Sequence, residues 1–174
     1  MVIMKKKIKI TIGCIITLLA IIIIIYSLSL MNGKRYQKMN ISPSQICEIY
    51  YLNPKLIEND KITFTRVSEK MKSYNQIIWH QDEQQLELNL GYAIHIPKKD
   101  ILETKDIQTE FGLMEIIICN DNIYKERKEI VFNFQTHDIA YSGTFQRMED
   151  TELLSEEDIP KIITMLKECI LTET

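Results

Sequence analysis

Residues Ile10 to Met31 read ITIGCIITLLAIIIIIYSLSLM, an apolar run with no charged side chain. As a helix it spans about 33 Å, enough for the hydrocarbon core of a bilayer. A soluble helix needs a polar face, and this run offers almost none. Lys5, Lys6, Lys7 and Lys9 stand directly before it. The run is therefore expected to be a transmembrane signal-anchor helix, touching membrane lipid through residues 10–31. Residues 1–9 are then a short basic cytoplasmic tail, 32–42 a juxtamembrane stalk, and 43–174 an extracytoplasmic domain.

Two processing routes compete with a retained anchor. A lipoprotein signal would need its apolar stretch before Cys14, whereas the bulk lies after it. A cleavable secretory signal could use the small residues of Ser27-Leu28-Ser29, but the run exceeds the apolar region of about 7–15 residues usual in such signals. Orientation follows the flanking positive charge: four lysines and the free amine before the run, Lys34, Arg35 and Lys38 after it. That bias places the amino terminus inside. Gly13 and Thr17 form one small-xxx-small pair, a weak helix-pairing motif that lipid-facing helices also tolerate.

The chain beyond the anchor is about one domain's worth, enough to bury a real core. All 24 acidic residues lie after Met31 with 17 of the 21 basic ones, a balance of −7. That charge argues against nucleic acid as a partner, and no basic stripe with interleaved aromatics occurs. The chain is rich in Ile, Lys and Asn and poor in Gly and Pro, a composition typical of AT-rich bacterial coding. Beyond Cys14 there are Cys47, Cys119 and Cys169. Three cysteines allow at most one internal disulfide, and none sits in a C-x-x-C pair. Each has apolar neighbours and is expected to pack as a small hydrophobe.

The segment Ser42-Pro43-Ser44-Gln45 fits a capping box with Pro at the first helical position. The ICEIYYL run behind it also suits a strand, and a strand over 46–52 is the preferred reading, turned by Asn53-Pro54 and returning over Ile62 to Val67. Asn40-Ile41-Ser42 matches a glycosylation acceptor, weakened by Pro43. The clearest pattern is Leu86, Leu88, Leu90, Tyr92, Ile94, Ile96, alternating as a half-buried strand does. Pairing Trp79 with Leu86 and Ile77 with Leu88 makes a hairpin with one apolar face. A second hairpin joins Glu129–Thr136 to Ile139–Arg147; setting Phe134 opposite Ile139 places Phe132 opposite Tyr141 and Ile130 opposite Gly143. Leu113 to Cys119 reads as a central strand and 101–111 as a short helix or loop. Lys125 to Glu129 is a solvated charge cluster.

Near the end, Ile159, Ile162, Ile163, Leu166 and Ile170 recur at helical spacing behind a cap at Ser155 or Asp158. The fold class is thus α+β: an N-terminal transmembrane helix, then an antiparallel meander-like β-sheet domain of five to seven strands with a C-terminal amphipathic helix.

Chemistry is sparse. No nucleophile elbow, zinc-protease, P-loop or dinucleotide motif occurs, and five glycines, none clustered, argue against a phosphate-cradling loop. His80, Asp82 and His137 would meet at a metal only if two turns shared one end of the sheet; the spacing lacks paired local ligands. Cys119 with His95 or His137 is the sharpest nucleophile pair, but Cys119 ends the most apolar strand, where burial makes a thiol inert. Tyr50, Tyr51, Tyr74, Tyr92, Tyr124 and Tyr141 suit either a recognition surface or ordinary sheet packing. No catalytic residue, metal ligand or cofactor is assigned. The expectation is a single-pass, membrane-anchored envelope protein whose outer domain binds a protein, peptide or envelope component without catalysis. The alternatives are a tethered hydrolase with scattered Asp, Glu, His or Cys residues, or a structural subunit of a membrane complex.

Overall fold

His137 and Asp138 hold φ angles of 52° and 59°, the left-handed pair that a two-residue hairpin loop needs to match strand twist. The hairpin they close sets Thr136 against Ile139, Phe134 against Tyr141, Phe132 against Gly143 and Ile130 against Phe145. The pairing expected from sequence, Phe134 with Ile139, requires a longer loop; the tight turn moves the register by two residues. A shift of two keeps every side chain on its face, so the apolar stripe stands and only the partners change. At the other hairpin, Trp79 faces Leu86 and Ile77 faces Leu88, as expected.

The structure, a computed structural model, describes residues 35–69, 72–97, 101–120, 128–147 and 154–172, with 19, 21 and 22. Of the expected membrane helix, only Leu19, Ile21 and Ile22 are described; they are helical and exposed. The rest of 10–31 lies outside the described residues, as do Tyr124 and most of the 125–129 charge cluster. Among the described residues no helix is long and apolar enough to cross a membrane. The chain divides into Met1–Arg35 with Ser68–Ser73, and Tyr36–Val67 with Tyr74–Thr174; the core and the sites below belong to the second unit.

The elements are β1 (Arg35–Gln37), α1 (Pro43–Ile49), β2 (Ile62–Glu69), β3 (Lys72–Gln81), β4 (Gln84–Leu90), β5 (Ile101–Thr109), β6 (Gly112–Asn120), β7 (Lys128–Thr136), β8 (Ile139–Arg147) and α2 (Ile159–Cys169). The strands form one sheet in the order β1-β2-β3-β4-β8-β7-β6-β5. Two meanders are therefore joined at β4 and β8, and the strand count exceeds the five to seven expected. The fold is an antiparallel eight-stranded sheet with two short helices, mostly β.

Three local expectations are corrected. Residues 46–52 are not a strand: Ser42 and Gln45 complete a reciprocal capping box and Pro43 opens a helix over Pro43–Ile49. With two N-terminal donors satisfied and φ preset by proline, the cap outweighs β propensity. The alternating strand stops at Leu90, because Gly91 takes φ 69° and releases the chain from the sheet. Residues 101–111 are not a helix or loop: Ile101–Thr109 is strand β5, paired along β6 with one register shift between Ile101 and Glu103.

One face of the sheet holds the main core. Ile77, Leu86, Leu88, Ile116, Phe132, Tyr141 and Phe145 pack there with Ile46 of α1 and Ile162, Met165 and Leu166 of α2. The amphipathic spacing read for the C-terminal helix is thus the face α2 buries. Tyr141 Oη donates to the Tyr50 carbonyl at 2.9 Å, tying the centre of the sheet to the end of α1. Asn53 N–H donates to Cys169 O and Leu171 N–H to Tyr51 O, both at 2.8 Å, and Leu52 bridges Ile170. Residues 51–53 and 169–171 therefore close the same face together.

Candidate functional site

The opposite face is unusual for its buried polar groups. Antiparallel pairing lines up Gln76, Asn89, Ser142 and Asn133 in one row, and Glu87 beside Thr144 in the next. Gln76, Glu87, Asn89, Ser142 and Thr144 are all buried. Burying such groups is costly unless they are hydrogen-bonded. Here they form a chain: Gln85 Nε2 donates to Glu87 Oε1 at 2.8 Å, and Gln76 Nε2 donates to Glu87 Oε2 at 3.0 Å and to Asn89 Oδ1 at 2.9 Å. Asn89 Nδ2 donates to Ser142 Oγ at 3.3 Å, and Ser142 Oγ to the Tyr92 carbonyl at 2.7 Å.

The last bond explains the arrangement. Residues 91–97, leaving β4, cross this face to reach β5. Asn133 Oδ1 accepts from Ile94 N–H at 3.1 Å, Tyr92 stacks on Tyr74 at 4.4 Å, and Ile94 and Ile96 pack on Ile117, Cys119 and Val131. The alternation that continues past Leu90 in the sequence therefore describes a strap lying on the sheet rather than a strand within it. The polar row gives the Tyr92 carbonyl and the Ile94 N–H of the strap the partners that a strand ladder would otherwise supply.

The metal constellation weighed from sequence is not assembled. His80 and Asp82 flank the β3–β4 turn, and Gln84 pairs with Arg147 at the end of β8; His137 lies at the start of β8, about 27 Å along the strand. His137 Nε2 instead donates to Leu171 O at 2.9 Å and its ring stacks on Tyr51 at 4.4 Å. The described residues contain no group of three or more His, Cys, Asp or Glu placed to hold a metal ion.

The Cys119–His137 pair is not assembled either. Cys119 faces Glu129 across β6 and β7, about 24 Å along β7 from the His137 turn, and its Sγ donates to Glu129 O at 3.5 Å. His95 is exposed between Ile94 and Ile96. Cys47, Cys119 and Cys169 are buried thiols outside any disulfide, as expected for core cysteines. Burial pushes the Cys47 thiol up, and burial with Glu168 nearby pushes Cys169 up to about 12, which suppresses the reactive thiolate. Of the described tyrosines, Tyr74 and Tyr141 are buried and Tyr50 covers Gly91, whereas Tyr51 is exposed.

A groove of about 450 Å³ opens between the β3–β4 turn and α2, lined by residues including Asp82, Glu83, Lys161 and Glu168. Its lining contains neither histidine nor cysteine, and Thr164 Oγ1 donates back to Pro160 O at 2.9 Å. No family model, curated protein or solved structure matches this chain. At one margin of the sheet, among the described strands, β5 is hydrogen-bonded to β6 alone. Its Glu103, Thr104, Lys105 and Asp106 are exposed, and Lys105 Nζ lies 2.7 Å from Glu156 Oε2 in the turn before α2. Sequence reasoning missed this edge because 101–111 carries too few apolar residues to announce a strand.

Proposed function

We propose that this chain is a single-pass, membrane-anchored envelope protein. Its amino terminus lies in the cytoplasm, and its β-sheet domain lies outside and binds a protein or peptide without catalysis. The apolar run at 10–31 supports the anchor and the lysines before it support the orientation. The observation that carries the binding reading is β5, a nine-residue strand paired on one side only among the described strands. Such an edge offers a row of backbone donors and acceptors that a second extended segment can complete, the mode known as β-augmentation. The buried thiols and dispersed histidines described above favour binding over a tethered hydrolase.

Photo-crosslinking in intact membranes tests the reading. A photoreactive residue is placed at 104 or 106 in β5, and at 83 in the β3–β4 turn as reference. Protein adducts from the β5 positions and none from 83 are expected. Equal yields from both, or none from β5, would overturn it.

A further inference from the structure

The charge pattern of β5 specifies what can pair with it. In a two-fold antiparallel pairing of β5 with another β5, residue i faces j and j faces i, so one residue sits on the axis facing itself. An axis at Glu103, Lys105 or Asp106 would set like charges directly opposite, which is destabilising. An axis at Leu102 falls where the β5–β6 register breaks, between Ile101 and Glu103. An axis at Thr104 sets Glu103 opposite Lys105 twice, within the regular stretch of β5 that follows the register shift. It places no like charges in opposition. Of the axes on Leu102 through Asp106, Thr104 alone joins opposite charges on regular strand.

We propose that the β5 edge pairs with the β5 edge of a second copy of this chain, antiparallel about a two-fold axis through Thr104, so that two eight-stranded sheets become one continuous sheet. This rests on the reading of β5 as the docking edge and names its occupant. The charges that blunt a lone edge against stray strands then act as a register code for self-recognition. Glu156, and to a lesser degree Glu103, favour the charged form of Lys105. The two copies of Thr104 face each other at a Cα separation of about 4.5–5.5 Å, inside the window of about 4.4–6.8 Å that a disulfide spans.

The test uses the full-length protein in membranes, in a Cys14→Ser background because Cys47, Cys119 and Cys169 are buried. Thr104→Cys under mild oxidation is expected to give a disulfide-linked dimer, with Glu83→Cys remaining monomeric. In the Thr104→Cys chain, Glu103→Lys alone or Lys105→Glu alone is expected to lower the dimer yield at least threefold, and the double exchange to restore it. Thr104→Cys that stays monomeric yet reacts freely with a maleimide would overturn self-pairing and leave the edge open to a different strand. Thr104→Cys that neither crosslinks nor reacts would show the edge covered by something else, overturning self-pairing while supporting β5 as a docking edge. Equal dimer yields from all charge variants would overturn the Thr104 axis.

Discussion

Gly143 lies directly across from Phe132, and the phenylalanine ring fills the space its missing side chain leaves. A Cβ at 143 would stand 2.3 Å from Phe132 Cζ and 2.2 Å from the Glu87 carbonyl oxygen. The second contact is to backbone, which cannot turn aside. Gly143→Ala is expected to cost at least about 3 kcal/mol, at the upper end of overpacking effects, read by urea denaturation. Adding Phe132→Leu is expected not to restore stability, because the Glu87 carbonyl stays where it is.

Tyr141 gives a gentler test of the same core. Burial, with Tyr50 and Tyr51 nearby, raises its phenol well above the usual range, so the hydroxyl remains a donor to Tyr50 O. Tyr141→Phe leaves that carbonyl without this donor. A loss of about 1 kcal/mol is expected, seen as a lower urea midpoint with an unchanged slope.

The strap over the polar face makes a local prediction. Ser142→Ala removes the donor to Tyr92 O and the acceptor for Asn89 Nδ2. Amide exchange across 92–96 is expected to quicken about tenfold, corresponding to an opening cost lower by about 1.4 kcal/mol. Exchange in β4 and β8 is expected to change far less. Uniform quickening along the sheet would show that the polar row stabilises the whole fold and not the strap.

Asp158 links stability to acid. Its carboxylate is buried and accepts from Arg147 Nη2 at 2.8 Å, Lys161 Nζ at 3.1 Å and Ser155 N–H at 3.0 Å. Burial pushes its pKa up, but the Ser155 amide and the two cations outweigh burial and hold it below the usual value. A depressed carboxylate stabilises the fold above its unfolded pKa, about 3.9. That contribution is lost as pH falls below about 4 through the folded value. Asp158→Asn is expected to cost about 3 kcal/mol at neutral pH and to flatten the stability curve below pH 4 relative to the native chain.

The β7–β8 turn runs the other way. Asp138 occupies a left-handed conformation at φ 59°, which glycine adopts without steric cost. Asp138→Gly is expected to stabilise the hairpin by about 0.5–1 kcal/mol, measured as a rise in the urea midpoint.

Much of this architecture was legible in the residues. The Trp79–Leu86 hairpin followed from alternation with a short polar turn, and α2 from its apolar spacing. The differences have separate physical origins. The ICEIYYL run carries both a helix cap and β-branched residues, and the cap prevailed. Tyr92, Ile94 and Ile96 keep the two-residue period of a strand because a strap pressed on a sheet also buries every second side chain. The register of Phe134 depended on where the turn fell, and two positive φ angles at residues other than glycine leave little trace in sequence. The β5 edge was least legible, since a strand exposed over most of its length has no apolar period to read.

The central claim is that a β-sheet domain is held at a membrane by residues 10–31. Carbonate washing of membranes from cells making the intact chain, followed by protease treatment from outside, tests it most directly. The full-length chain should remain in the pellet with its C-terminal domain open to external protease. Intact polypeptide recovered in the carbonate supernatant would contradict the tether.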